Sequence, residues 1–174
     1  MIYPIDVTIT AEPELKLDKN KESPLPENHI TPELFVQHAW GMDFRVSIAD
    51  SAVLHSDFIK QASILADNKD IGVHYLDFSE YDTAAAALSA KENSGFLEAL
   101  EDGSKKSLLW FVHCDSLAPL NVAVTYSLRT ALTTRPGNNT QSVFIATKAS
   151  LLMMFANREA PFYQSHCNLT GYCR

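Results

Sequence analysis

Three consecutive residues of this 174-residue chain carry groups able to do chemistry: His113, Cys114 and Asp115. They follow the apolar run Leu108-Leu109-Trp110-Phe111-Val112, where a buried strand would end and a helix begin. The C-terminal ends of strands are where open α/β sheets gather their ligands. His74 and Asp77, near the end of a second expected strand, belong to the same edge. Cys114 with His113 or His74 as base would make a small Cys/His-dependent hydrolase, the base taking the thiol proton before the thiolate attacks. A nucleophile elbow needs small residues two positions to either side, and Val112 is not small. The competing role for Cys114 is that of a packed, unreactive thiol.

A second set of residues lies in the turn Ala49-Asp50-Ser51-Ala52-Val53-Leu54-His55-Ser56. It connects a short strand beginning at Phe44 to a helix whose apolar stripe is Leu54, Phe58, Ala62 and Leu65, with Asp50 or Ser51 as cap. A phosphate cradle at such a turn has the form G-x-x-x-x-G-K-[ST]. Its glycines let backbone N–H groups close around the anion, and its lysine neutralises the charge. In the best register Ala49 and Leu54 stand at the glycines, His55 stands at the lysine, and only Ser56 agrees. Backbone donors near Ser51 would be all that remains for a module that senses nucleotide without hydrolysing it.

The elements that position these groups follow from the apolar pattern. Ile5, Val7 and Ile9 alternate with polar residues as in a half-buried strand, and the charged stretch from Lys16 to His29, with Pro24 and Pro26, reads as a linker. Thr31-Pro32-Glu33 opens a helix that runs to about Trp40 and stops at Gly41. Strands are expected over Phe44–Ile48, Ile71–Phe78, Leu108–Val112 and Val143–Ala146. Helices are expected over Thr83–Leu100, opened by Asp82, along the stripe Leu120, Val124, Leu128 and Ala131, and from Leu151 to Ala156. Met153, Met154 and Phe155 are expected in the core, as are both tryptophans. Strands alternating with helices predict an α/β, three-layer sandwich around a mainly parallel sheet. Residues 1–30 form an N-terminal strand and linker, and residues 31–174 the core domain.

From about Thr31 to Leu169 this order resembles the nucleotide-binding core of P-loop ATPases, with AAA+, archaeal and STAND-type ATPases the nearest comparison. The resemblance rests on element order, on Tyr75-Leu76-Asp77-Phe78-Ser79 after the second strand, and on Val112-His113-Cys114-Asp115-Ser116 after the third. It rests further on Ala146-Thr147-Lys148 after the fourth strand and on the tail Arg158 to Tyr163. It implies a cofactor-binding constellation of Ser51, His55, Ser56, Asp115 and Thr147, with Thr147 at the γ-phosphate sensor. The third strand of that family carries two acids, whereas here Asp115 is flanked by Cys114 and Ser116, so one carboxylate is missing. The resemblance thus implies a degenerate core, with no cofactor expected. With the chain closing at Arg174, no helical lid of the AAA+ kind is expected after the core. Arg129, Arg135 and Arg158 are expected as surface charges rather than fingers reaching a neighbour.

Composition narrows the rest. The net charge of -7 disfavours a nucleic-acid backbone as partner. The three cysteines, Cys114, Cys167 and Cys173, suit free thiols in a reducing compartment. With His166 they match no zinc-ligand spacing, so no metal is expected. No apolar run approaches the roughly 20 residues that cross a bilayer, and the first residues lack a signal-peptide pattern. The expectation is a cytoplasmic, non-catalytic regulatory or scaffolding domain. Its partner would be a protein, either an active ATPase or a second copy of the chain.

Overall fold

Strands β1 (Val46–Asp50), β2 (Gly72–Asp77), β3 (Ser107–Val112), β4 (Thr140–Ala146) and β5 (Cys167–Asn168) pair in parallel, in the order β2-β3-β4-β1-β5. The structure is a computed structural model and describes residues 30–40, 45–118, 123–134, 139–163 and 167–168. The expected strand Ile5–Ile9, the linker to His29, Gly41, Phe44, Leu120, Arg135, His166 and Cys173 lie outside these residues.

Helices α1 (Pro32–His38), α2 (Phe58–Asp67), α3 (Ala84–Ser89), α4 (Ser94–Glu101), α5 (Ala123–Thr134) and α6 (Lys148–Leu151) cover the sheet. Because side chains alternate along a strand, each central strand feeds two cores. Leu108 and Trp110 of β3, with Val143 and Ile145 of β4, pack with Phe35 of α1 and Phe58 and Ala62 of α2. Leu109, Phe111 and Phe144 turn to the other face, with Phe96 of α4, Leu128 and Leu132 of α5, and Phe155. There the Phe111 and Phe144 rings stack at 4.3 Å, and Phe96 meets Phe111 edge-on at 4.9 Å. Each fully buried side chain of this size contributes about 1.5–3 kcal/mol. Residues 108–111 are all completely buried, as their unbroken apolar run predicts for a strand covered on both sides.

Several boundaries differ from the expected ones. The helix expected over Thr83–Leu100 is two helices, because Ala90 is extended and a 3-10 turn spans Lys91–Asn93. The Asn93 side-chain amide donates to the Ala87 carbonyl at 2.7 Å and to the Tyr81 hydroxyl at 3.0 Å. Those bonds hold the break in place. Thr83, not Asp82, caps α3 by accepting from the Ala86 N–H. Strand β4 begins three residues early, because Thr140, Gln141 and Ser142 are buried beside β3 despite their polarity. Helix α6 begins at Lys148 and continues as a π-helical turn, Leu152–Ala156. In that turn Met154 and Phe155 are buried as expected, whereas Met153 is exposed.

Candidate functional site

The chain after β1 does not enter a helix directly. Asp50, the last residue of β1, places its carboxylate over the next turn and accepts the Ala52 N–H at 2.8 Å. Ser51–His55 therefore wind as a 3-10 turn, and Leu54 belongs to it rather than to the helix stripe expected from the sequence. The Ser56 hydroxyl donates to the Val53 carbonyl at 2.7 Å and accepts the Phe58 N–H at 3.3 Å. Only then does α2 begin, at Phe58 behind Asp57. An anion at this turn would meet the Asp50 carboxylate, and the Ser56 hydroxyl is already engaged by its own chain. His55 is exposed at the end of the turn.

The helix after β1 packs on one face of the sheet and the helix after β4 on the other. Their strands are neighbours, so the C-terminal ends of β1 and β4 form the switch point of the sheet, the kind of place where open α/β sheets bind ligands. Asp50 lies opposite Ala146 in the register, and Thr147 follows directly. Thr147 donates to Asp115 Oδ1 twice, from its backbone N–H at 3.0 Å and from its hydroxyl at 2.7 Å. The same hydroxyl oxygen caps α6 by accepting the Ser150 N–H at 3.4 Å. Partial burial works to raise the Asp115 pKa. Hydrogen bonds from Ser150 and from the Thr147 side chain and backbone outweigh it and hold the carboxyl below its ordinary value. The structure thus joins Asp115 and Thr147, while Ser51 begins the turn after the neighbouring strand β1.

One strand further out, the β2 and β3 ends are also tied. His113 Nδ1 lies 3.0 Å from Asp77 Oδ1, which accepts as well from the Ser79 N–H at 2.9 Å and the Ser79 hydroxyl at 2.6 Å. Asp77 too is held below its ordinary pKa: burial opposes this, and the bonds from Ser79 and His113 prevail. An ionised carboxylate only accepts, so His113 donates through Nδ1 and turns Nε2 outward. His113 has φ 49° and ψ 43°, a left-handed conformation uncommon outside glycine. The bend at His113 turns the chain so that the next residue, Cys114, points back into the core.

Cys114 is completely buried, and its thiol lies 3.4 Å from the Ile145 carbonyl. Burial, and after it the nearby Asp115 charge, push its pKa up and disfavour the thiolate. His74 stands three residues before Asp77, about 10 Å along the strand. It lines a groove of about 620 Å³ at the opposite edge of the sheet, with Asp70, Gly72, Lys105, Lys106 and Ser107. Burial lowers the His74 pKa. The expected constellation of Cys114, His113 and His74 is therefore not brought together. That groove mixes acids with lysines, and neither the β1 turn nor Cys114 reaches it, so the strand ends are the better candidate site.

Among the described residues no cluster of three or more His, Cys, Asp or Glu side chains could share a metal ion. No described helix is long and apolar enough to cross a membrane. Of the two caps expected here, Asp50 and Ser51, the structure uses Asp50, which caps the 3-10 turn rather than α2. The signal was there, since an aspartate two residues ahead of a backbone donor forms such a turn readily. No family model matches this sequence, and no match is found among curated proteins.

Proposed function

We propose that this chain is a non-catalytic, P-loop-ATPase-like domain that acts through protein contacts. It serves as a regulatory or scaffolding subunit docked on an active ATPase or on a second copy. The observation that carries the proposal is the Asp50 carboxylate bonded to the Ala52 N–H at the turn where a phosphate would need free donors. An ATPase-like arrangement requires the β1 turn, the third-strand acid and the fourth-strand polar residue to share one site, and adjacency of β3, β4 and β1 supports that arrangement. The chemistry within it supports loss of the activity. The turn contributes a negative charge, and the Thr147 hydroxyl is committed to Asp115, the one acid left of the expected pair.

Function then belongs to the surface. Leu152 and Met153, both about half exposed, lie in the π-helical turn that follows α6. Exposed apolar neighbours of this kind suit a protein contact. Thermal unfolding with and without magnesium and ATP tests the proposal. A nucleotide present at about a hundred times its Kd would add about 2.7 kcal/mol. For a chain of this size that raises Tm on the order of 5 °C or more. The expected result is no shift, and a saturable rise of that size would overturn the proposal.

A further inference from the structure

Strand β2 ends the described sheet, with β3 as its only described neighbour. Its outer backbone groups form an edge onto which another strand can add. The edge is flanked by exposed apolar surface. Tyr75 in the middle of β2 is 51% exposed, and its hydroxyl donates to Ser63 of α2, which holds the ring along that helix. Ile64, the next residue of α2, is also 51% exposed. This is the face of the sheet on which α1 packs. Phe35 of α1 contacts Phe58 of α2 at 5.8 Å and Trp110 of β3 at 6.0 Å. Trp110 is the register partner of Tyr75. The chain therefore enters the domain one strand inside the β2 edge.

Residues 1–29 precede that entry point and lie outside the described residues. Within them Ile5, Val7 and Ile9 alternate with Asp6, Thr8 and Thr10, a sequence of β-branched strand formers with one apolar side. Pro4 and Pro13 bracket the segment, and proline suits the ends of an edge strand. A strand added beyond β2 would lie two strand spacings, about 10 Å, from β3. The roughly 20 residues between the segment and α1 can span several times that distance at about 3.3 Å each.

We propose that residues 5–10 add within the same chain to the edge that β2 leaves open among the described residues. The addition would supply partners to the edge and cover Tyr75 and Ile64. It stands independently of the function proposed above.

Hydrogen exchange read by mass spectrometry on the full chain tests it, alongside Val7→Asp. In the natural chain amides of residues 5–10 are expected to exchange at least about tenfold slower than unstructured peptide. In V7D that protection is expected to vanish and exchange across Val73–Leu76 to accelerate about tenfold, while Leu108–Phe111 stay unchanged and so report an intact core. Exchange of residues 5–10 at unstructured rates in the natural chain overturns the proposal whatever the variant does. Light scattering at the same concentrations separates the other occupant. Protection found only in a dimer, and lost on dilution, would mean that a second copy supplies the strand, which also overturns it.

Discussion

Thr147 and Asp115 are joined twice: one carboxylate oxygen accepts both the backbone N–H and the hydroxyl of the threonine. The pair ties the end of β4 to the turn after β3. The threonine hydroxyl also meets Ser150, so one side chain joins β4, the turn after β3 and the start of α6.

Thr147→Val keeps the backbone donor but removes the hydroxyl that serves Asp115 and caps α6. The loss is expected to cost about 1 kcal/mol, the usual scale for an N-cap deletion. Thr147→Ser should restore most of it, since the hydroxyl carries both bonds. Urea denaturation midpoints for the two variants check the difference.

The two strand-end carboxylates give the domain an acid-sensitive limb. Asp115 and Asp77 both have folded-state pKa values below their ordinary value. In the unfolded chain each binds its proton at higher pH than in the folded one. Their contribution is therefore complete above about pH 4, near the unfolded pKa, and is lost as pH falls through the folded values. Stability against urea should fall as pH drops below that point. Asp115→Asn should flatten the fall, and a variant as steep as the natural protein would contradict the assignment.

Ser63 links three elements through one hydroxyl. It donates to the Ile59 carbonyl at 2.6 Å and accepts from the Tyr75 hydroxyl and, at 3.0 Å, from the indole N–H of the completely buried Trp110. Ser63→Ala strands that indole donor, at a cost of about 1–3 kcal/mol. Equilibrium denaturation followed by tryptophan fluorescence reads the loss.

Cys114 should be inert in the folded protein. A burial-raised thiol pKa leaves little thiolate at neutral pH, and thiolate is the reactive form. Labelling with a thiol reagent, mapped by mass spectrometry, is expected to reach Cys114 only after denaturant is added. Selective labelling of Cys114 in the folded state would revive the hydrolase alternative.

How far the chain explains itself differs from residue to residue. Leu108–Val112 announced a doubly covered strand, because a strand without a polar side has nowhere wet to face. Thr31 and Pro32 announced the start of α1, since capping is local chemistry: the Leu34 N–H donates to the Thr31 hydroxyl at 3.2 Å. The break between α3 and α4 was hidden, because Lys91 and Glu92 suit a helix and the break is held by an Asn93 contact with Tyr81, distant in the chain. The polar start of β4 was hidden for the same reason, as burial beside β3 is a property of the assembled sheet. At the candidate site, the Asp50 cap of the β1 turn was legible because capping is local chemistry. The left-handed turn at His113, which separates His113 from Cys114 by sending one to the surface and the other to the core, left no mark in the sequence.

On the proposed function, the C-terminal ends of β1 and β4 do not take up nucleotide. Isothermal titration of the full chain with magnesium and ATP tests it most directly. Only heat of dilution is expected up to millimolar ligand, where a Kd of about 1 mM corresponds to about -4.1 kcal/mol. A saturable binding isotherm in the natural protein, abolished by Ser56→Ala or Asp115→Asn, would contradict it.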